Sequence, residues 1–354
     1  MRNIQIGTKK IGPDEPCLIV AEMSGNHDGD FEKAKQIIHK AFESGADAIK
    51  FQTYKPDTIT LESDREDFRI PSNSPWGKYK TFYDLYKKAH TPWEWIDKLF
   101  EESRNIGLEP LSSEFDPTSV DFLEGLNCPV YKVAAPEITD IPLLKKIGQT
   151  KKPVAVSTGL ATLSDIDLAV QTLRQHGSPD IVLLKCTTAY PTPFDEINLR
   201  TIPHLAETFQ CLVGLSDHTL GIGVAVASIC LGAKVIEKHF VLDKNEGSID
   251  GFFSMEPDEF RQMVEEVRKV EKGIGVVNYD ITPAAQKNLN GRRSLYVSAD
   301  INKGEQFTMD NVRSVRPSCG LHPKHLDSIL GKRANRDLIY GDRLSWDMID
   351  VKND

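Results

Sequence analysis

Eight short apolar runs lie between residues 17 and 239, each ending in a polar or ionisable residue and each separated from the next by a stretch of mostly helical pattern. They are CLIVAE ending at Glu22, ADAIKFQ at Gln52, LEPLSS at Ser113, VYKVAA around Lys132, VAVST at Thr158, IVLLKCT at Thr187, LVGLSDH at His218 and VIEKH at His239. Strand then helix, repeated eight times, predicts an α/β fold built as a closed parallel (β/α)8 TIM barrel. Barrels of this kind gather their chemistry at the strand C-termini. The polar residues that end the runs therefore mark one rim.

At 354 residues the chain has room for such a barrel and an appendage. The sequence divides into a barrel over 1–275, a polar linker over 276–292 and a small β domain over 293–354. The last part carries an internal repeat: Asp300, Ile301, Gly304, Glu305, Phe307, Thr308, Asp310 and Val312 recur 37 residues later as Asp337, Leu338, Gly341, Asp342, Leu344, Ser345, Asp347 and Ile349. Each copy reads as a strand, a glycine turn and a Thr/Ser-capped helical turn. So small a domain has a thin core and is expected to dock on the barrel or on a partner subunit.

Helix punctuation supports the alternation. Thr91, Pro92 and Glu94 form an N-terminal signature before Ile96, Leu99 and Phe100, and Gly107 closes that helix. Asp116 and Pro117 open another. Phe31, Ala34, Ile38, Ala41 and Phe42 recur at helical spacing up to Gly45. The insertion 54–90, rich in charge and proline, interrupts the second βα unit, and so long a βα loop is expected to be a lid or substrate-binding loop.

A net charge of −9 disfavours a nucleic-acid surface, so an anionic ligand needs a local cluster of cations. No apolar run approaches the ~20 residues of a membrane span, and the N-terminus lacks a secretory pattern. The six cysteines are scattered without a CxxC pair, as expected of buried thiols in a cytoplasmic protein.

Strand periodicity puts Gly214, Ser216 and His218 on one face of strand seven and Val235, Glu237 and His239 on one face of strand eight. Those strands are neighbours, so two imidazoles meet at the mouth, either as ligands of a divalent metal or as an acid/base or hydrogen-bonding pair. Lys50 and Lys132 interrupt apolar runs, where an unpaired ammonium is costly. With Ser157 and Ser216 they form an anion site, or else they salt-bridge to Glu22, Glu137 or Glu237. Glu22 is a candidate for proton handling or for a structural pair with Lys50. Tyr190 is a loop anchor or a site residue, and Trp93 and Trp95 read as helix packing.

The segments IVAEMSGNH, ADAIKFQTY, VSTGLATL, KCTTAYPTP, GLSDHTLG and IEKHFVLD, in that order, resemble the sialic acid synthase family, and RRSLYVSADINKGEQFTMDNVRSVRP resembles its antifreeze-like (SAF) domain. The resemblance implies condensation of phosphoenolpyruvate with an N-acetylated amino sugar to a nine-carbon 2-keto acid. It implies that His218 and His239 bind a divalent metal, manganese or magnesium, that Lys50, Lys132, Ser157 and Ser216 hold phosphoenolpyruvate, and that Glu22, Gln52, Tyr190 and Asp250 sit at the sugar and the reacting centre. It further implies a domain-swapped homodimer in which Arg316 of one chain enters the barrel of the other. YDLYKKAHTPWEW, NLRTIPHLAETF, GLHPKHLDSILGK and LSWDMI are most similar to the branch that uses 2,4-diacetamido-2,4,6-trideoxy-L-altrose. N-acetylmannosamine and a legionaminic acid precursor are the alternative sugars. Three positions depart from the family pattern: Ala135 and Ser318 replace a serine and a glycine, and Thr188 replaces an asparagine. A metal-dependent barrel aldolase and a carbohydrate-binding module on an inactive barrel are the more distant readings.

Overall fold

The computed structural model describes residues 2–350, and the chain divides at Gly275 and Val276 into two compact units. The first opens on an antiparallel hairpin, β1 (Ile4–Ile6) and β2 (Lys9–Ile11), that the runs described above did not announce. Eight parallel strands follow: β3 (Leu18–Glu22), β4 (Ala48–Thr53), β5 (Glu109–Glu114), β6 (Tyr131–Val133), β7 (Val154–Ser157), β8 (Ile181–Cys186), β9 (Leu212–Asp217) and β10 (Val235–His239). They close in the order β10-β3-β4-β5-β6-β7-β8-β9, so the first and last barrel strands pair directly.

Side-chain alternation sorts the apolar residues into two layers. Outward positions such as Ile19, Ile49, Val133, Leu183, Leu215 and Ile236 pack against the helices. Inward positions Leu18, Val20, Leu111, Val182, Leu184 and Val235 pack with Ile4, Ile6 and Ile11, so the hairpin closes the end of the barrel opposite the polar rim. Gly214 belongs to the inward set, since a Cβ there meets the inward Leu184 Cδ2 at 2.7 Å.

The helix Phe31–Glu43 is capped by Asp30, whose side chain accepts from Glu32 N and Lys33 N, and Gly45 beyond its end has φ +87°. It buries Ala34, Ile37, Ile38 and Ala41. Phe42, expected on that stripe, lies at its edge and is 46% exposed. Thr91 is not the cap of its helix, which runs Trp93–Ile106 from Pro92; its hydroxyl instead meets His27 Nε2 at 3.2 Å. Trp93 stacks on Phe122 at 4.6 Å. The insertion 54–90 is ordered by a core of its own, with Ile70 and Leu85 packed on Ile249 and with Trp76, Tyr79, Phe82 and Tyr86 around them. Four of the six free cysteines are buried, while Cys230 and Cys319 are exposed. Among the described residues no helix is long and apolar enough to cross a membrane.

In the second unit, β11 (Ser294–Val297) pairs antiparallel with β12 (Val312–Val315). The repeat is a structural two-fold. Ile301 bridges to Leu338, its equivalent, while Asp300 accepts from Tyr340 N and Asp337 accepts from Lys303 N, each at 2.7 Å. Leu295, Phe307, Ile329 and Leu344 form its core. The two copies differ in one respect: Ser345 precedes a 3-10 turn, Trp346–Met348, whereas the residues after Thr308 form only a hydrogen-bonded turn. Residues 276–292 hold one short helix, Pro283–Gln286, and a 3-10 turn, Leu289–Gly291.

Candidate active site

The C-terminal ends of the barrel strands open into a cavity of about 290 Å³. Lys50, Gln52, Lys132, Ser157, Tyr190, Ser216, His218, His239 and Asp250 line it, and Glu22 lies directly behind them, fully buried. The strand register explains the assembly, because Glu22 is paired with Lys50 on one side and with His239 on the other.

Both lysines are held by carboxylates. Lys50 Nζ is 2.7 Å from Glu22 Oε2 and 3.6 Å from Glu237 Oε1, and it donates to Ser113 Oγ at 3.0 Å. Lys132 Nζ is 3.4 Å from the same Glu237 oxygen. Both lysines are thus salt-bridged, with Glu237 between the two ammonium groups and Glu137 not paired to either, and both also line the cavity beside Ser157 and Ser216, where an anion can reach them. Burial raises Glu22 above the usual carboxylate range, with Lys50 opposing and Glu237 adding to the rise. Burial acts the same way on Glu237, but Lys132 and Lys50 outweigh it and hold that group below its ordinary value. Burial disfavours the Lys50 ammonium, yet Glu22 and Glu237 raise it overall. Glu22 Oε1 accepts from Gln52 Nε2 at 2.9 Å and from Ser24 N at 3.0 Å.

The two histidines face each other with ring centroids 5.3 Å apart. His218 Nδ1 meets Thr187 O at 3.2 Å. Burial lowers both imidazoles, His239 furthest because His218, Lys50 and Lys132 add to the effect, so both rings are neutral and carry a free lone pair. His239 Nδ1 is buried without a hydrogen-bond partner and lies 4.0 Å from Asp250 Oδ2. Two neutral imidazoles, one with an orphaned nitrogen, suit a divalent cation as donors, although among the described residues no group of three or more ligating side chains is assembled.

Asp250 accepts from Ser24 Oγ and, at 3.2 Å, from Trp76 Nε1, which also donates to Ile249 O at 3.1 Å. Burial raises Asp250 against those hydrogen bonds. Tyr190 packs 4.6 Å from His218 and 5.0 Å from Phe253, so it is a wall of the site and not only a loop anchor. Ser216 Oγ donates to Glu237 at 3.4 Å, while Ser157 Oγ is buried and unpartnered. Ala135 and Thr188 both line the cavity, Ala135 without a hydroxyl to offer. Arg316 is exposed in the second unit and makes no ion pair within it among the described residues. Ser318 there adopts no left-handed backbone and donates from Oγ to Leu289 O at 3.0 Å, so the serine is accommodated.

Several lining residues escaped the sequence reading as site residues. Glu237 shares the inward face of His239 and was recoverable from alternation alone. Cys186 follows Val182 and Leu184 on the inward face of β8 and was equally recoverable, whereas Ser24, Trp76 and Phe253 were not fixed by any strand period, because loops and the insertion bring them in. The insertion, expected to be a lid or substrate-binding loop, lines the cavity with Trp76, Phe82, Leu85 and Tyr86, while Phe68, Ile70 and Tyr83 lie outside the lining.

Comparison with known proteins gives two family matches, the NeuB family over residues 37–279 and the SAF domain over residues 292–350. The chain is 45% identical over 96% of its length to the pseudaminic acid synthase of Campylobacter jejuni, covering 98% of that protein. It is 42% identical to that of Helicobacter pylori, with 95% and 98% covered. Identity to the N,N'-diacetyllegionaminic acid synthase of Legionella pneumophila is 35%, with 98% of each chain covered. The crystal structure of the Bacillus subtilis spore coat polysaccharide biosynthesis protein SpsE superposes with a TM-score of 0.68 at 34% identity, over 99% of this chain and 100% of that one.

Proposed function

The chain belongs to the NeuB family and carries a SAF domain, and from that premise we propose that it condenses phosphoenolpyruvate with 2,4-diacetamido-2,4,6-trideoxy-L-altrose to give pseudaminic acid and phosphate. The observation that carries the choice of sugar is the higher identity to pseudaminic acid synthases than to the legionaminic acid enzyme.

The cavity chemistry supports the reaction. Lys50 and Lys132 grip the anionic phosphoenolpyruvate, and the unpartnered Ser157 hydroxyl and Ser216 donate to it. Holding it beside the aldehyde of the open sugar makes the encounter an oriented one. C3 of phosphoenolpyruvate attacks the aldehyde carbon and forms the new C–C bond, leaving positive charge at C2. Water adds at C2, and the C2–O bond breaks to release phosphate and the 2-keto acid. Glu22, raised by burial and linked to the cavity through its ion pair with Lys50, is the carboxyl able to take up or return a proton by way of that lysine. Glu237, held anionic by the lysines, faces the developing cation. His218 and His239 would hold a manganese or magnesium ion, which would supply Lewis-acid polarisation of the aldehyde. Gln52, Tyr190 and Asp250 orient the sugar, against a wall of Trp76, Phe82, Leu85 and Tyr86 suited to a 6-methyl group. In a homodimer the SAF unit of one chain supplies Arg316 to the barrel of a second copy. With phosphoenolpyruvate as substrate, the working compartment is the cytoplasm.

Phosphate release is the test. It is expected only when phosphoenolpyruvate and the sugar are both present. Turnover with pyruvate in place of phosphoenolpyruvate points to an aldolase, and sugar binding without turnover points to a binding module.

A further inference from the structure

An ion pair stands on the outer face of the barrel, where its neighbours on the same strand faces, Leu215 and Ile236, belong to the apolar layer under the helices. Asp217 of β9 and Lys238 of β10 are cross-strand partners, both about 1% exposed, with Nζ 2.7 Å from Oδ2. Burying two charges there is weak ground for stability, because a matched apolar pair is often as good or better. What the pair does hold is Thr219. Asp217 Oδ1 accepts from Thr219 N at 2.9 Å, and Lys238 Nζ donates to Thr219 O at 2.6 Å.

The consequence is local to the histidines. Asp217 and Thr219 flank His218, and Lys238 precedes His239. The backbone leaving β9 is therefore fixed on both sides of His218, and it is tied by an ammonium group to the residue beside His239. The β9 ladder ends at Asp217, and beyond it the backbone is held by these two side-chain bonds to Thr219 together with Thr192 N, which donates to His218 O at 3.0 Å. We propose that Asp217 and Lys238 are positioning residues that set the His218 and His239 rings at the separation needed to share one divalent cation. The inference rests on the metal reading above and adds residues that do not touch the ion.

The experiment is a Mn²⁺ titration followed by electron paramagnetic resonance on the full-length protein, with thermal unfolding measured in parallel. The variants are Lys238→Met and the double change Asp217→Leu with Lys238→Met, and His239→Ala is the control. Supporting partners of metal-bound histidines typically contribute 10–100-fold in affinity, and a weakening on the order of that range is expected here. The single variant is also expected to lose stability, since it leaves Asp217 buried and unpaired. The double variant decides, because it restores an apolar match without the two bonds to Thr219. It is expected to melt at or above the temperature of the unaltered protein while still binding Mn²⁺ weakly. A double variant that folds and binds Mn²⁺ as the unaltered protein does overturns the inference, and so does one that fails to fold, since the pair then serves the fold. No Mn²⁺ binding by the unaltered protein, or undiminished binding by His239→Ala, overturns the metal reading itself and this inference with it.

Discussion

Replacing Glu114 by Gln is expected to stabilise the protein at alkaline pH and to flatten the dependence of its stability on pH. Glu114 ends β5, is fully buried and has one carboxyl oxygen unpartnered, while the other accepts from Lys132 N at 3.2 Å. Burial raises it from 4.5 to about 8, with backbone N–H groups and Lys132 opposing. The folded protein therefore keeps a proton that the unfolded chain loses. Below pH 4.5 both states are protonated and there is no effect; from there to about pH 8 stability falls by ~1.4 kcal/mol per pH unit, and above that it levels off. Across the whole interval the loss is about 5 kcal/mol. Gln is neutral throughout and keeps an oxygen to accept from Lys132 N, so the lysine stays in place. Urea unfolding of both proteins from pH 5 to pH 9 is the assay, with the two curves converging at the acid end and diverging towards pH 8. Parallel curves over that range refute the reasoning. Glu114→Leu removes the acceptor as well, and its kcat/KM is expected to fall while that of Glu114→Gln stays within a few-fold of the unaltered enzyme.

His218→Ala and His239→Ala are each expected to abolish turnover with circular dichroism unchanged, since both rings sit at the barrel mouth; full activity in chelator-treated, metal-free enzyme contradicts the Lewis-acid role. Trp76→Phe removes the donor to Asp250 and Ile249 and is expected to raise KM for the sugar by roughly 5–10-fold, leaving KM for phosphoenolpyruvate about unchanged. Mixing inactive Arg316→Ala and Lys50→Ala chains is expected to restore about a quarter of the unaltered rate, because random pairing makes half the dimers mixed, each with one intact composite site. No recovery in proven heterodimers indicates delivery of Arg316 within one chain.

The barrel and most of its rim were legible in the sequence because a strand has a fixed period of two. Once the eight runs are aligned, Lys50, Lys132, Ser216, His218 and His239 must share the interior face at one end. The same period carried Glu237 inward, but a carboxylate beside two lysines reads equally as a structural pair, and only distances show that it bridges both. Residues that reach the site from loops carry no such period. Trp76 arrives through an insertion whose fold depends on its own core of Ile70, Leu85 and Ile249, and Phe253 through the loop after β10. The hairpin Ile4–Ile11 was missed because three-residue strands are too short for a pattern to register. The clamp at Asp217 and Lys238 was hidden within two of the motifs themselves, SDH and EKH, where the histidines drew the reading inward and the ion pair faces out.

The most direct test of the account is product formation from three sugars at fixed phosphoenolpyruvate: 2,4-diacetamido-2,4,6-trideoxy-L-altrose, the legionaminic acid precursor and N-acetylmannosamine. Each is followed by phosphate release, with mass spectrometry of the nine-carbon acid. An apolar wall discriminates by ~1–3 kcal/mol per methyl-sized group, so kcat/KM for the trideoxy altrose sugar is expected to exceed that for N-acetylmannosamine by roughly tenfold or more. A preference for N-acetylmannosamine or for the legionaminic acid precursor contradicts the assignment of the sugar, and no phosphate release with any of the three contradicts the synthase reading itself.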